Sequence, residues 1–181
     1  MAEAKDWIFL FPIITAVLMV IAFFLPIMYL SVYYPVFIDP AIEGPVLPFG
    51  RGIIEELEPY TSLVPEASDL QTIFLWVGIG FAIFYGLDVL FLLISAIRVK
   101  TGSKELKKAK RKWLREGIIM IIAQVIVIIV MSTVVPDAAA DVDPLLELGF
   151  TIGLGMILTI VGGGILIFAY IIAKIAGASS S

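Results

Sequence analysis

Four predominantly apolar runs constrain this chain more than any other feature: Trp7 to about Leu30, about Thr72 to Ile97, Trp113 to Val135, and Leu145 to Ala173. Each exceeds the roughly 20 residues that a helix needs to cross about 30 Å of hydrocarbon. In lipid every peptide group must find its hydrogen bond within the protein, which leaves helices and closed barrels as the spanning structures. None of the runs reads as an alternating strand along its length, so helices are expected. Composition agrees. With 61% hydrophobic residues over 181 positions and a mean hydropathy of +1.08, the chain carries more apolar surface than a soluble domain of its size buries.

The first run has the position of a signal peptide, but Lys5 is its only basic flank and no A-x-A-like site follows near Tyr29 to Tyr34. It is read as an uncleaved span, with Pro12 and Pro26 near its ends kinking it or shortening its regular part. Orientation follows from the basic residues. Arg98, Lys100, Lys104, Lys107, Lys108, Lys110, Arg111, Lys112 and Arg115, nine of the 12 in the chain, cluster at the turn that joins the second and third runs. Lys5 and Lys174 fall on the same side and only Arg51 on the other, so the 98–115 hairpin and both termini are expected in the cytoplasm. The loops at 31–71 and 136–144 then lie outside. Trp7, Trp113 and Tyr170 are expected as anchors at the inner interface, and Tyr29, Tyr33, Tyr34 and Trp76 at the outer one.

Boundary residues refine this picture. Ser68 and Gln71 have the spacing of a capping box before the second span, Gly102 suits a left-handed helix end, and Asp143 with Pro144 reads as a cap and first-turn proline for the fourth span. The expected fold is an all-α membrane protein: one domain over 1–181, an antiparallel four-transmembrane-helix bundle, multi-pass in the plasma membrane. In the 31–71 loop six prolines stiffen the chain, and residues 52–58 suggest a short amphipathic helix.

Cysteine and histidine are both absent, which removes the usual ligands for haem, iron–sulfur clusters, zinc and copper, and no cofactor is expected. The acidic loops show no calcium-loop pattern, so no metal site is assigned. No Gly-x-Ser-x-Gly, nucleotide-binding or nucleic-acid-binding motif occurs, and the chain is not expected to be an enzyme or to bind nucleic acid. Asparagine is absent as well, which leans toward a thermophilic source.

Three features remain as functional candidates. Asp88 lies about ten residues inside the second span, where an ionised carboxylate costs at least about 2.5–3.5 kcal/mol. Gln124 lies at similar depth in the third span. A hydrogen bond between them would lock the two helices, while a proton or cation relay, a substrate contact, or a contact to another subunit are the other roles open to such a carboxyl group. Gly149, Gly153, Gly162, Gly163 and Gly164 mark the fourth span as a close-packing face, with a Gly-x-x-x-Gly at 149 to 153. The basic cluster of Lys104, Lys107, Lys108, Lys110, Arg111 and Lys112 suits anionic lipid headgroups.

In layout alone, with four spans, internal termini and a longer first outer loop, the chain resembles tetraspan membrane proteins such as claudins. Their tryptophan, glycine and paired-cysteine signature in that loop is missing, and no residue role carries over. The expected function is a non-catalytic membrane subunit or scaffold that packs against itself or other membrane subunits. The alternative is a small proton- or cation-coupled transporter or channel using Asp88.

Overall fold

The computed structural model describes residues 7–34, 38–47, 52, 55–56, 58–60, 65–102, 106–142, 145 and 147–178. In chain order these form helix α1 (Leu10–Phe23), strands β1 (Met28–Tyr34) and β2 (Ile38–Val46), a 3-10 turn (Glu58–Tyr60), helix α2 (Pro65–Lys100), helix α3 (Leu106–Ile129), a π-helical turn (Val130–Val134), helix α4 (Val135–Val142), strand β3 (Glu147–Ile152) and helix α5 (Leu154–Ala178). The protein is mostly helical. Three stretches, Leu75–Lys100, Leu106–Asp137 and Leu154–Ile175, are long and apolar enough to cross a membrane. α1 is a shorter apolar helix of 14 residues, about 21 Å long at 1.5 Å per residue.

Two expected spans therefore contain β-structure. The first run ends its helix at Phe23, before Pro26, and continues as β1. Proline has no N–H to donate and disfavours helix at the residue before it. The fourth run begins as β3, and its helix starts only at Leu154. Asp143 and Pro144 lie outside the described residues and are not its cap. β1 is the central strand of an antiparallel sheet ordered β2-β1-β3. Its register pairs Ser31 with Glu43 on one side and with Gly149 on the other. Met28, Leu30 and Val32 are buried, while Tyr29, Ser31 and Tyr33 project from the opposite face, the two-residue period of a half-buried strand.

Smaller differences follow the same logic. α2 starts at Pro65, a residue suited to a first helical turn. Ser68 is thus inside the helix, where its carbonyl accepts a bond from Thr72 Oγ1 at 3.0 Å, and it does not form the expected capping box. Gly102 takes a φ of 70° and its N–H donates to the Val99 carbonyl at 3.2 Å, closing α2 in a left-handed turn. Of residues 52–58, only Glu55 and Glu56 are described as helical, and Ile53, Ile54 and Leu57 lie outside the described residues. The π turn precedes Pro136, whose ring would meet the Ser132 carbonyl in a regular helix. There the Val135 N–H reaches back five residues to the Val130 carbonyl. Ser132 and Thr133 hydroxyls donate to the Ile128 and Ile129 carbonyls, each at 2.6 Å.

Contacts group the chain into two compact units. One comprises Met1–Ile21, Tyr85–Gln124 and Leu158–Ser181; the other comprises Ala22–Phe84 and Val125–Ile157. In the second unit the junction between sheet and helix is tied by the backbone itself. Gly153 N–H donates to the Ile27 carbonyl and Gly155 N–H to the Pro26 carbonyl, both at 2.9 Å, while Ile27 N–H donates to the Val46 carbonyl at 2.9 Å. Gly149 lies in β3 against Ser31, and Gly153 lies against the Pro26 carbonyl, so the 149-to-153 pair does not form a helical packing motif.

A Cβ at Gly153 would collide with the Pro26 carbonyl, whereas one at Gly164 would meet nothing within 4 Å. Gly153→Ala is expected to cost about 1–3 kcal/mol, while Gly164→Ala should stay within about 0.5 kcal/mol of the parent. Thermal unfolding midpoints of the detergent-solubilised protein check both.

Candidate functional site

The first unit buries its polar side chains along the facing sides of α2, α3 and α5. α2 and α3 run antiparallel through the short turn at Gly102, and their register is pinned by one side-chain bond. Trp113 Nε1–H donates to Ser95 Oγ at 2.8 Å, with both residues buried. Trp113, expected at the inner interface, is instead a core residue with 0% exposure, whereas Trp7 and Trp76 are exposed as interfacial anchors would be. Ala109, Trp113, Gly117, Met120 and Gln124 form the buried side of α3, the three- and four-residue spacing of one helix face.

α3 and α5 approach closely at glycines. A Cβ on Gly117 would stand 2.6 Å from the Gly163 carbonyl oxygen, and one on Gly163 would stand 2.8 Å from that of Gly117. Gly162 faces Thr15 and Met120, and Thr15 Oγ1 donates to the Gly162 carbonyl at 3.3 Å. Close backbone approach of this kind is what small residues permit between helices in lipid. Of the glycines singled out in the fourth run, Gly162 and Gly163 are buried at this crossing and Gly164 is exposed. Gly117 belongs to the same crossing although the sequence reading passed over it.

Asp88 is 7% exposed, and its carboxyl group lies near that of Glu116 of α3. Asp88 does not bond to Gln124. Gln124 is fully buried, and neither its Nε2 nor its Oε1 makes a hydrogen bond among the described residues; the same holds for Asp88 Oδ2. The expected Asp88–Gln124 lock is thus replaced by an acid pair. Sequence reading missed Glu116 because it follows the basic hairpin directly and reads as part of that charged, solvated segment. Its spacing of three residues from Trp113 placed it nearer the buried side of α3.

Tyr85 and Thr159 complete the set. Their hydroxyls lie 2.8 Å apart, joining α2 to α5 in a buried hydrogen bond. Side-chain pairs thus join α2 to α3 at Ser95 with Trp113 and at Asp88 with Glu116, and α2 to α5 at Tyr85 with Thr159. Tyr85 and Asp88 are three residues apart, about 4.5 Å along the axis of α2. Such an array can hold and exchange protons. No group of three or more histidine, cysteine, aspartate or glutamate side chains suited to a metal occurs among the described residues.

At the basic hairpin, Lys107, Lys108, Arg111 and Lys112 are exposed. Lys110 turns inward, and its Nζ donates to the Ala173 carbonyl near the end of α5 at 3.3 Å, where a cation complements the helix dipole. Lys100 lies over the Phe9 ring, 5.4 Å from its centre. Lys104 lies outside the described residues. No protein-family profile matches the chain, and comparisons with curated proteins and with solved structures find no match.

Trp113→Phe keeps an aromatic ring but removes the donor to Ser95 Oγ and part of the buried indole, and is expected to cost about 1–3 kcal/mol. Asp88→Ala and Glu116→Ala should be non-additive, with a coupling of about 0.5–2 kcal/mol in a double-mutant cycle. Thermal midpoints of the single and double variants supply the numbers.

Proposed function

We propose that this chain is a small proton- or cation-coupled transporter or channel of the cell membrane, in which Asp88 and Glu116 together form the site that takes up and releases the coupling ion. The observation that carries this reading is the acid pair itself: two carboxyl groups on neighbouring helices, inside stretches apolar enough to span a membrane. Intramembrane carboxyl groups are costly, and they mark ion paths in membrane proteins. Tyr85, Thr159 and Gln124 supply further polar groups on facing helices. Charge asymmetry supports an orientation with both termini and the basic hairpin in the cytoplasm, where the exposed lysines and arginines would meet anionic headgroups.

A second reading keeps the chain as a non-catalytic subunit of a larger or homo-oligomeric assembly. It is favoured by the polar face of the sheet, where Tyr29 is 45% exposed beside Ser31, Glu43, Pro45 and Thr151 around a concavity of about 450 Å³. Such a surface suits contact with another protein chain.

Purified protein in liposomes, given an imposed gradient of protons, sodium or potassium, separates the two. The transport reading expects a flux well above protein-free liposomes that Asp88→Asn reduces at least tenfold while the native mass of the particle stays unchanged. A wild-type flux no greater than that of empty liposomes, together with a defined complex extracted from the native membrane, would leave the subunit reading in its place.

A further inference from the structure

We infer that Met28, Met131 and Met156 form a thioether site for a soft monovalent cation of the copper(I) or silver(I) class. The site lies wholly within the second unit, and it goes beyond the proposed use of Asp88 and Glu116, on which it does not depend.

Three separate elements bring these side chains together. Met28 opens β1 and pairs with Ile152 of β3. The bonds from Gly153 N–H to the Ile27 carbonyl and from Gly155 N–H to the Pro26 carbonyl hold the first turn of α5, and with it Met156, against the start of β1. Met131 comes from the π-helical turn, which packs against β3. All three methionines are buried, and all three line one cavity of about 30 Å³. Methionine is unbranched and adaptable, and it ordinarily fills irregular gaps in a core. Here half of the six methionines in the chain surround a gap instead of filling it.

Size and chemistry select the occupant. A single water-sized sphere takes up about 10–15 Å³, so the cavity admits an ion and not an organic molecule. Hard cations prefer six or more oxygen ligands, and the only side-chain oxygens in the lining are the Ser132 and Thr151 hydroxyls, of which Ser132 already donates to the Ile128 carbonyl. Thioether sulfur is soft and selects copper(I) among the biological metals. With cysteine and histidine absent from the chain, thioethers are its only soft ligands. Three of them are uncharged and leave the charge of the ion uncompensated, so the desolvation penalty favours one positive charge over two. The three rotatable bonds of each methionine let the sulfurs close on such an ion with the backbone in place.

Copper(I) titration of the full chain in lipid nanodiscs, under ascorbate and in competition with the chelator bathocuproine disulfonate, tests this directly. The expected result is one copper(I) per chain, with an affinity that falls at least tenfold in each of Met28→Leu, Met131→Leu and Met156→Leu. Leucine conserves the volume of methionine and is well tolerated in cores, so these variants remove the sulfur with little disturbance of the packing. Met19→Leu and Met120→Leu, at buried positions of the first unit, should leave the affinity unchanged. X-ray absorption at the copper edge of the wild type reads the ligands without any variant, and decides the matter alone if a leucine variant does not fold. It should show sulfur neighbours and no oxygen or nitrogen. Failure of the wild type to bind copper, a shell of oxygen or nitrogen around the metal, or equal losses in all five variants overturns the site and leaves the three methionines as packing residues.

Discussion

Hydrocarbon offers a peptide group no hydrogen-bond partner, and at several places among the described residues where this chain leaves the α-helix another part of the protein supplies one. At Pro26 and Ile27 the carbonyls released by the end of α1 accept the N–H groups of Gly153 and Gly155, at the start of α5. At Val130–Val134 the wide turn ahead of Pro136 is filled from within, by the hydroxyls of Ser132 and Thr133. The sheet satisfies its central strand on both sides. These substitutions allow a chain of this composition to hold non-helical backbone, because the freed groups are re-paired inside protein.

The same constraint acts on side chains, with a different result. Ser95, Thr15, Thr159 and Tyr85 are each buried and each bonded to a named partner on another helix. Asp88 faces Glu116 across the helix pair. Gln124 alone among the buried polar residues of α3 is left with its amide unbonded to protein. Glycine crossings make this arrangement possible. By bringing α3 and α5 within backbone contact at Gly117 and Gly163, they remove side-chain bulk from one level so that polar side chains can meet at the next.

The mostly helical character of the chain, with three helices long and apolar enough to cross a membrane, was legible in its apolar runs, and so was the left-handed end of α2 at Gly102. Run length, however, counts residues and not conformation. The stretch Met28 to Tyr33 alternates apolar and hydroxyl-bearing side chains, the signature of a half-buried strand, but its first half adjoins a helix of similar hydropathy and was absorbed into the first run, while the rest was read as loop. Proline and glycine at positions 26 and 153 were the punctuation that separated them. Within the candidate site, the burial of Asp88 and Gln124 was readable from their place inside apolar runs. Their partners were not, because depth does not fix the rotation of a helix about its axis. That rotation comes from the Ser95–Trp113 bond and the glycine crossing, contacts between residues that carry no chemical signal of their own.

The burial of Trp113 also gives the protein an optical reporter. Three tryptophans are present, and two of them, Trp7 and Trp76, are 66% and 67% exposed. Collisional or lipid-borne quenchers reach those indoles and leave the emission of the third. Trp113 lies three residues from Glu116, on the adjoining turn of α3, and its ring nitrogen is already committed to Ser95. Its spectrum senses the local electric field, so a charge appearing or disappearing at the acid pair shifts the emission of a chromophore that no labelling step had to introduce.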